Sequence, residues 1–152
     1  MNKNIINVVE CAIEYNNKLL IIKRPLNVHA AGVLAFPGGK VEEEDLLNRY
    51  DVLRAAVKRE IFEEVGLDLE DQIDYITTNY FVDDYGNNIL DSLFYCKLEK
   101  TYLNIVASER EVVEYYWMGM EEIMNNVNSP DWLKEYVKLI EKKYPCNNEV
   151  YS

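Results

Sequence analysis

Residues 59–67 read Arg-Glu-Ile-Phe-Glu-Glu-Val-Gly-Leu and place three glutamates on one short helical segment that a glycine closes. At about 100° per residue, Glu60 and Glu64 stack one turn apart, and Glu63 lies roughly 60° to the other side of Glu60. All three carboxylates therefore point into one sector of the helix. Because crowded carboxylates repel one another unless a hard divalent cation binds their oxygens, the segment indicates a site for Mg²⁺ or Mn²⁺.

The same helix carries apolar residues at helical spacing, which predicts a stripe packed on the core: Leu53, Val57, Ile61 and Val65. The carboxylates then lie at the edge of that core. Ala55 and Phe62 are apolar on the far side, so we expect the helix to be covered on two faces. A simpler alternative stays open, in which Arg59 pairs with Glu63 four residues on and the rest is a solvated acidic face.

Upstream, residues 36–42 read Phe-Pro-Gly-Gly-Lys-Val-Glu, which predicts a tight glycine turn before an acidic stretch. Together the two stretches resemble the signature of the Nudix hydrolase family, the MutT-like proteins. That signature runs glycine, five residues, glutamate, seven residues, then Arg-Glu-hydrophobic-any-Glu-Glu-any-Gly-hydrophobic. Residues 59–67 match its second half at every fixed position.

The first half departs from the signature in two ways. Gly39 stands twenty residues before Arg59 where the family has fourteen, so we assign the extra residues to the Glu42–Tyr50 loop. Counting back eight residues from Arg59 reaches Asp51, where the family has glutamate. Asp51 suits the N-cap or the first turn of the helix, and a loop insertion costs little free energy, so neither departure argues against the fold.

The resemblance implies an α/β fold, the Nudix-type α/β/α sandwich with a mixed β-sheet, formed by one domain over residues 1–152. Local patterns predict strands and helices in an order that agrees with it. The predicted strands are Ile5–Ile13, Lys18–Lys23, Val33–Phe36, Ile73–Val82, Ile89–Leu98 and Val112–Met118. The predicted helices are the acidic one ending at Gly66, then Glu121–Asn126 and Asp131–Lys143, and we expect residues 145–152 to form a frayed tail.

The chain is acidic, with a net charge of −11 over 152 residues, which argues against binding a nucleic acid polymer or an anionic membrane through a basic patch. Its cysteines, Cys11, Cys96 and Cys146, are widely spaced and lack zinc-site spacing, so we expect free thiols in a reducing cytoplasm. The N-terminus has no signal-peptide pattern, and no apolar run approaches membrane-spanning length. We therefore predict a cytoplasmic protein.

Nudix hydrolases cleave the pyrophosphate bond of a nucleoside diphosphate linked to another moiety, with Mg²⁺ or Mn²⁺ as cofactor. The resemblance implies that Glu60 and Glu64 are the first metal ligands and that Glu63 binds the metal directly or through water. It adds the backbone carbonyl of Gly39 as a further ligand. Gly38 is expected at the substrate, because backbone without side chains can approach a metal or a phosphate closely.

Three basic side chains are candidates beside the glutamates. Arg59 is expected to hold a carboxylate in a fixed orientation through two hydrogen bonds, and so to support catalysis as a bracket. The alternative for Arg59 is a surface ion pair with Glu63 or with Glu42–Glu44. Lys23 and Arg24, at the end of the second strand, are predicted to bind a substrate phosphate.

The general base is implied by the resemblance alone. In many family members it is a glutamate on the loop before a strand that carries a tryptophan, which here is Trp117. We favour Glu111 for this role, followed by Glu114 and Glu109, and either Glu63 or Asp51 could replace them.

The substrate is a small molecule that these residues do not assign. ADP-ribose, a dinucleoside polyphosphate, a modified nucleoside triphosphate, NADH or a coenzyme A derivative fits equally, and the stretch before the glycines is loosely similar to the coenzyme A pyrophosphatase branch. A non-catalytic sensor that binds a nucleotide-like ligand on the same fold is the alternative from another class. Family members are often dimers, so the resemblance also implies a homodimer.

Overall fold

The structure, a computed structural model, describes residues 4–24, 32–69, 72–99 and 114–145. Within these residues the chain forms one mixed sheet of seven strands: β1 Ile5–Tyr15, β2 Lys18–Lys23, β3 Leu34–Ala35, β4 Gly38–Lys40, β5 Ile73–Val82, β6 Asn88–Lys97 and β7 Glu114–Met118. The helices here are a 3₁₀ helix at Glu43–Leu47 and three α-helices, α1 Val52–Val65, α2 Met120–Asn125 and α3 Asp131–Lys143. No helix in these ranges has the length and apolar character needed to cross a membrane.

Strand β1 is the centre of the sheet. Its residues 5–14 pair in parallel with residues 88–97 of β6 along one edge. Along the other edge β1 pairs antiparallel with β4 at Val8–Glu10 and with β2 at residues 14–15. The strand order is β3-β2-β1-β6-β5, with β4 beside β1 and β7 beside β2. The glycines at 38 and 39 therefore join the sheet at its central strand.

Helices cover both faces of this sheet. One cluster of buried side chains joins α1 to the first face through Val57, Ile61 and Val65. A second cluster joins α2 and α3 to the opposite face through Ile123, Leu133, Val137 and Ile140. The predicted α/β/α sandwich with a mixed sheet is thus confirmed, and the apolar stripe of α1 packs on the core as predicted.

Several predicted boundaries agree with the structure, and β2, β5 and α3 have the bounds that the sequence indicated. The β1–β2 hairpin turns at Asn16 and Asn17, whose φ angles of 54° and 64° are left-handed, a conformation that asparagine tolerates. Gly66 ends α1 with a φ of 74°. Cys11 and Cys96 are both buried. Residues 146–152 of the predicted frayed tail lie outside the described ranges.

Two predictions about this region are wrong. Gly38–Lys40 is a short strand and not a tight turn, because its backbone pairs with Val8–Glu10 of β1. No helix among the described residues covers the far side of α1, since α2 and α3 pack on the other face of the sheet and Phe62 is 59% exposed. The stretch between the glycines and α1 is also more ordered than a plain loop, because it contains the 3₁₀ helix.

Candidate functional site

Two glutamates of α1 reach the glycine strand β4. The backbone N–H of Gly38 donates to Oε1 of Glu64 at 2.9 Å. The carboxylate of Glu60 lies against Gly39, so closely that a Cβ added to Gly39 would stand 2.3 Å from Glu60 Oε1. Both carboxylates are buried, because Glu60 is 6% exposed and Glu64 is 4% exposed. Gly39 therefore makes room for the carboxylate of Glu60 against β4, and a side chain at this position would displace it.

Arg59 links this edge to its surroundings. Its Nε and Nη2 donate to the two carboxylate oxygens of Asp45 at 2.9 and 2.8 Å. Its Nη1 donates to Glu60 Oε2 and to Glu63 Oε1, each at 3.0 Å. Its Nη2 also donates to the carbonyl of Lys40, which follows the glycines, at 2.9 Å. The guanidinium thus joins Glu60, Asp45 and β4, and its role as a bracket that supports catalysis stays a prediction.

Asp45 is the partner of Arg59 that the sequence reasoning missed. It lies in the 3₁₀ helix and is only 2% exposed. Its Oδ2 also accepts a hydrogen bond from the backbone N–H of Glu42 at 2.8 Å. The hydrogen bonds from Arg59 hold the pKa of Asp45 below its usual value, and the same bonds raise the pKa of Arg59. The pair is therefore charged and mutually stabilised.

Counting forward from Gly39 would have found Asp45. A glycine, five residues and an acidic residue is the first half of the family signature, and Asp45 meets it with aspartate in place of glutamate. The extra residues follow Asp45, so counting back from Arg59 crossed them and reached Asp51. Asp51 is the N-cap residue of α1 but makes no side-chain cap, and its Oδ1 instead accepts from Arg54 Nη1 at 3.2 Å. Asp51 is exposed and pairs with Arg54, whereas Asp45 binds Arg59, so Asp45 and not Asp51 fills the signature position.

Glu63 differs from the other two glutamates of the segment. Its side chain is 54% exposed, and it is paired with Arg59 as the simpler alternative predicted. Within the ranges that the structure describes, no three acidic, histidine or cysteine side chains are gathered into a complete metal site. Glu60 and Glu64 nevertheless lie together at the glycines of β4. Their carboxylate oxygens and the backbone carbonyl oxygen of Gly39 are ligands of the kind that Mg²⁺ and Mn²⁺ prefer. Glu63 as a metal ligand stays a prediction.

The predicted phosphate-binding residues lie where β2 ends. Lys23 Nζ is 3.8 Å from Glu114 Oε1 on β7, so it is paired with one of the candidate general bases. Arg24 directly follows β2, and its backbone N–H donates to the carbonyl of Val33, just before β3, at 3.0 Å. Its role at a substrate phosphate stays a prediction.

The favoured general base is not among the residues that the structure describes. Glu111 and Glu109 both fall in the undescribed range 100–113. Glu114 begins β7, is exposed, and is engaged by Lys23. The identity of the base therefore stays a prediction.

Comparison with known proteins identifies a family, a related sequence and solved structures with a similar fold. Residues 6–141 match the model of the NUDIX domain. An 8-oxo-dGTP diphosphatase of Proteus vulgaris is 37% identical over 54 residues, which are 36% of this chain. The match spans 43% of the length of that curated relative.

Solved structures share the fold over nearly the whole chain. A MutT protein from Methanosarcina mazei Go1 has a TM-score of 0.77 at 21% identity, covering 96% of this chain and 99% of its own. A bifunctional NMN adenylyltransferase/ADP ribose pyrophosphatase from Francisella tularensis, complexed with AMP and a Mn ion, has a TM-score of 0.71 at 14% identity. That match covers 93% of this chain and 42% of the bifunctional protein. At these identities the likeness concerns the fold.

Proposed function

Because this chain belongs to the NUDIX domain family, we propose that it is a hydrolase that cleaves the pyrophosphate bond of a nucleoside diphosphate linked to another moiety, with Mg²⁺ or Mn²⁺ as cofactor. One observation carries the proposal. Glu60 and Glu64 are buried together against Gly38 and Gly39, and Arg59 orients Glu60 there. Burying a carboxylate costs free energy unless its charge is paired or coordinates a metal ion.

The charge of the substrate explains why a metal is needed. A pyrophosphate is polyanionic and this protein has a net charge of −11, so the two repel each other without a cation between them. A bound divalent ion would neutralise phosphate charge and acidify a water molecule. Glu60, Glu64 and the carbonyl of Gly39 would hold it, and Arg24, which directly follows β2, would bind a phosphate.

The remaining residues have positioning and proton-transfer roles in this proposal. Arg59, fixed by Asp45, keeps Glu60 directed at β4 and leaves Glu63 at the surface of the same helix. Glu63 is exposed enough to meet a water molecule, and it is proposed as a general base together with Glu111. A carboxylate that accepts one hydrogen bond from a fixed guanidinium keeps its second oxygen free to accept a proton.

The compounds named for similar proteins define the substrates to try first. The curated relative is an 8-oxo-dGTP diphosphatase, and the Francisella tularensis protein includes an ADP ribose pyrophosphatase. We therefore propose a modified nucleoside triphosphate or ADP-ribose ahead of NADH, dinucleoside polyphosphates and coenzyme A derivatives.

The test is a hydrolysis assay of the purified protein with each of these compounds and Mg²⁺ or Mn²⁺, measuring the released phosphate products. We expect at least one compound to be cleaved, and Glu64→Gln to lower turnover roughly a hundredfold or more. Glu135→Gln is the matched control, because Glu135 is an exposed glutamate of α3 paired with Lys138. If wild type and Glu64→Gln are equally inactive on every compound, the hydrolase proposal fails and the sensor alternative replaces it.

A further inference from the structure

Strand β5 forms a long edge of the sheet. Among the described residues it pairs with β6 along its inner side, and the strand order ends with it. It is ten residues long, whereas β3 at the other end of the order has only two. A strand at an edge presents a row of backbone N–H and C=O groups to which another strand can pair. The outer side of β5 is therefore suited to bind a further strand.

The first half of this edge is protected against such pairing. The register with β6 shifts between Tyr75 and Thr77, which marks a β-bulge. The carbonyl of Ile73 accepts a hydrogen bond from Arg54 Nε at 2.8 Å, and that of Tyr75 accepts one from Lys143 Nζ at 3.5 Å. Bulges and basic side chains are devices by which proteins keep edge strands from pairing. Residues 73–76 are thus closed to another strand.

The second half of the edge has a different composition. Residues 77–82 read Thr-Thr-Asn-Tyr-Phe-Val, a stretch without charge or proline, and their register with β6 is unbroken. Tyr80 is 58% exposed and Val82 is 54% exposed, and aromatic and β-branched residues are those that pair well across strands. This half of the edge therefore lacks the charge, the proline and the bulge that would prevent pairing.

The backbone direction of these residues follows from the hairpin that joins β5 to β6. In an antiparallel pair, successive residues direct their N–H and C=O groups alternately toward the partner strand and away from it. The N–H of Asp83 donates to the carbonyl of Asn87 across the hairpin at 3.0 Å, so Asp83 faces β6. Val82, Tyr80 and Thr78 therefore direct their backbone groups outward.

We propose that this half of the edge binds a second copy of the same chain, with Thr78–Val82 of the two copies antiparallel and Tyr80 opposite Tyr80. In this register Thr78 lies opposite Val82 of the other copy, and every residue in these pairs directs its backbone groups outward. Each pair can therefore exchange two backbone hydrogen bonds. Centring the pairing on Thr78 or on Val82 would instead bring outward residues against the bulge or the turn. The strand is thus complementary to itself in one register.

Charge favours a second copy as the occupant. Two chains of net charge −11 repel each other unless the surfaces in contact are uncharged or complementary. The paired residues are uncharged. Beyond them, this register carries the acidic turn of one copy, Asp83-Asp84, toward Tyr75 of the other, at whose carbonyl Lys143 lies. Two-fold symmetry makes this contact twice, which an unrelated peptide would not provide.

The test measures the mass of the intact protein by sedimentation velocity over a range of concentrations. One chain has a mass of 17.8 kDa, and we expect the wild type to approach twice that value as the concentration rises. Tyr80→Lys and Tyr80→Glu each place two like charges opposite each other at the symmetry axis. Each variant should therefore weaken dimerisation about tenfold or more.

A mixture of the two variants tests the register itself. Lysine opposite glutamate replaces the repulsion by an attraction, so the equimolar mixture should regain the dimer that each variant alone has lost. Recovery also requires that both variants are folded. Tyr115→Lys is the matched control, because Tyr115 is a 39% exposed tyrosine of β7, and it should leave the dimer unchanged.

Hydrogen exchange of the wild type tests the same contact without any substitution. The outward amides of Thr78, Tyr80 and Val82 should exchange about tenfold more slowly at a concentration where the dimer forms than in dilute solution. A wild type that keeps the mass of one chain at every concentration would overturn the inference. A dimer that leaves these amides unprotected, or that Tyr80→Lys does not weaken, would overturn it as well. The inference goes beyond the proposed hydrolysis and is independent of it, because both measurements are made without substrate or metal.

Discussion

Arg59 forms a bidentate salt bridge with Asp45, in which Nε lies 2.9 Å from Oδ1 and Nη2 lies 2.8 Å from Oδ2. This salt bridge is buried, since the Arg59 side chain is 11% exposed and that of Asp45 is 3% exposed. The third nitrogen of the same guanidinium bonds Glu60. The 3₁₀ helix between the glycines and α1 therefore controls the orientation of a proposed metal ligand through the contact between Asp45 and Arg59, which lie fourteen residues apart in sequence.

Asp45→Asn is expected to lower both stability and activity. The change leaves Arg59 partly buried without its main anion, which costs about 2–4 kcal/mol in the free energy of unfolding. It also loosens the bracket on Glu60, so kcat/KM on the cleaved substrate should fall roughly 10- to 100-fold. Urea unfolding and steady-state kinetics measure the two effects. Asp51→Asn is the control, with a change within about 0.5 kcal/mol, and a larger effect there than at Asp45 would refute the assignment.

The same pair predicts a pH dependence of stability. The pKa of Asp45 is lowered in the folded protein, chiefly by hydrogen bonds from Arg59, so the unfolded chain binds its proton first as the pH falls. The contribution of Asp45 is complete above its unfolded pKa of about 3.9 and is lost as the pH drops below that toward the folded value. Thermal melts at a series of acidic pH values should show a shallower decline for Asp45→Asn than for wild type. Parallel curves would contradict the prediction.

The two glycines of β4 should respond differently to alanine. A Cβ on Gly38 would lie 2.0 Å from the carbonyl oxygen of Val9, and backbone cannot move aside, so Gly38→Ala should lower the melting temperature by several degrees or prevent folding. The three atoms nearest a Cβ on Gly39 all belong to the carboxylate of Glu60, the end of a side chain that can rotate away. Gly39→Ala should therefore keep most of its stability and lose activity.

Gly119→Ala serves as the control for both glycine variants, because its Cβ would come no nearer than 3.6 Å to Glu122. The Gly39 effect can be isolated by repeating that change in a Glu60→Ala background, where the clash is absent. If Gly39→Ala destabilises the double variant as much as it destabilises wild type, the clash with Glu60 is not its cause.

The three glutamates of α1 should differ in how much each contributes to metal affinity. Glu60 and Glu64 are buried at the glycine strand, whereas the Glu63 side chain is 54% exposed and bound to Arg59. We expect Glu60→Gln and Glu64→Gln each to weaken Mn²⁺ binding roughly tenfold or more, and Glu63→Gln to weaken it less. Electron paramagnetic resonance titration of free Mn²⁺ reports the three affinities directly. An equal loss in all three variants would make Glu63 a full ligand.

Local pattern was sufficient for most of the fold. The strand bounds of β2 and β5, the start and end of α3 and the closure of α1 at Gly66 all depend on residues close in sequence, and the structure agrees with them. The strand Gly38–Lys40 was missed because glycines carry no strand signal of their own. Its conformation is imposed by hydrogen bonds to β1, a contact between segments some thirty residues apart.

The site residues, like the strands and helices, could be predicted only where the signal lies in nearby residues. Helical spacing brought Glu60 and Glu64 to one sector, but it could not separate them from Glu63, because only burial against β4 distinguishes the three. Asp45 could have been found from the glycine end of the signature.

The parallel pairing of β1 with β6 sets an order of events during synthesis. Residues 5–14 find their partners at residues 88–97, so the central strand is complete along that edge only when more than half of the chain has left the ribosome. Until then the nascent chain lacks Phe94 and Cys96 of β6, which complete the core on which the apolar stripe of α1 packs. Contacts so distant in sequence form slowly, so we expect the core beneath α1 to close late in folding.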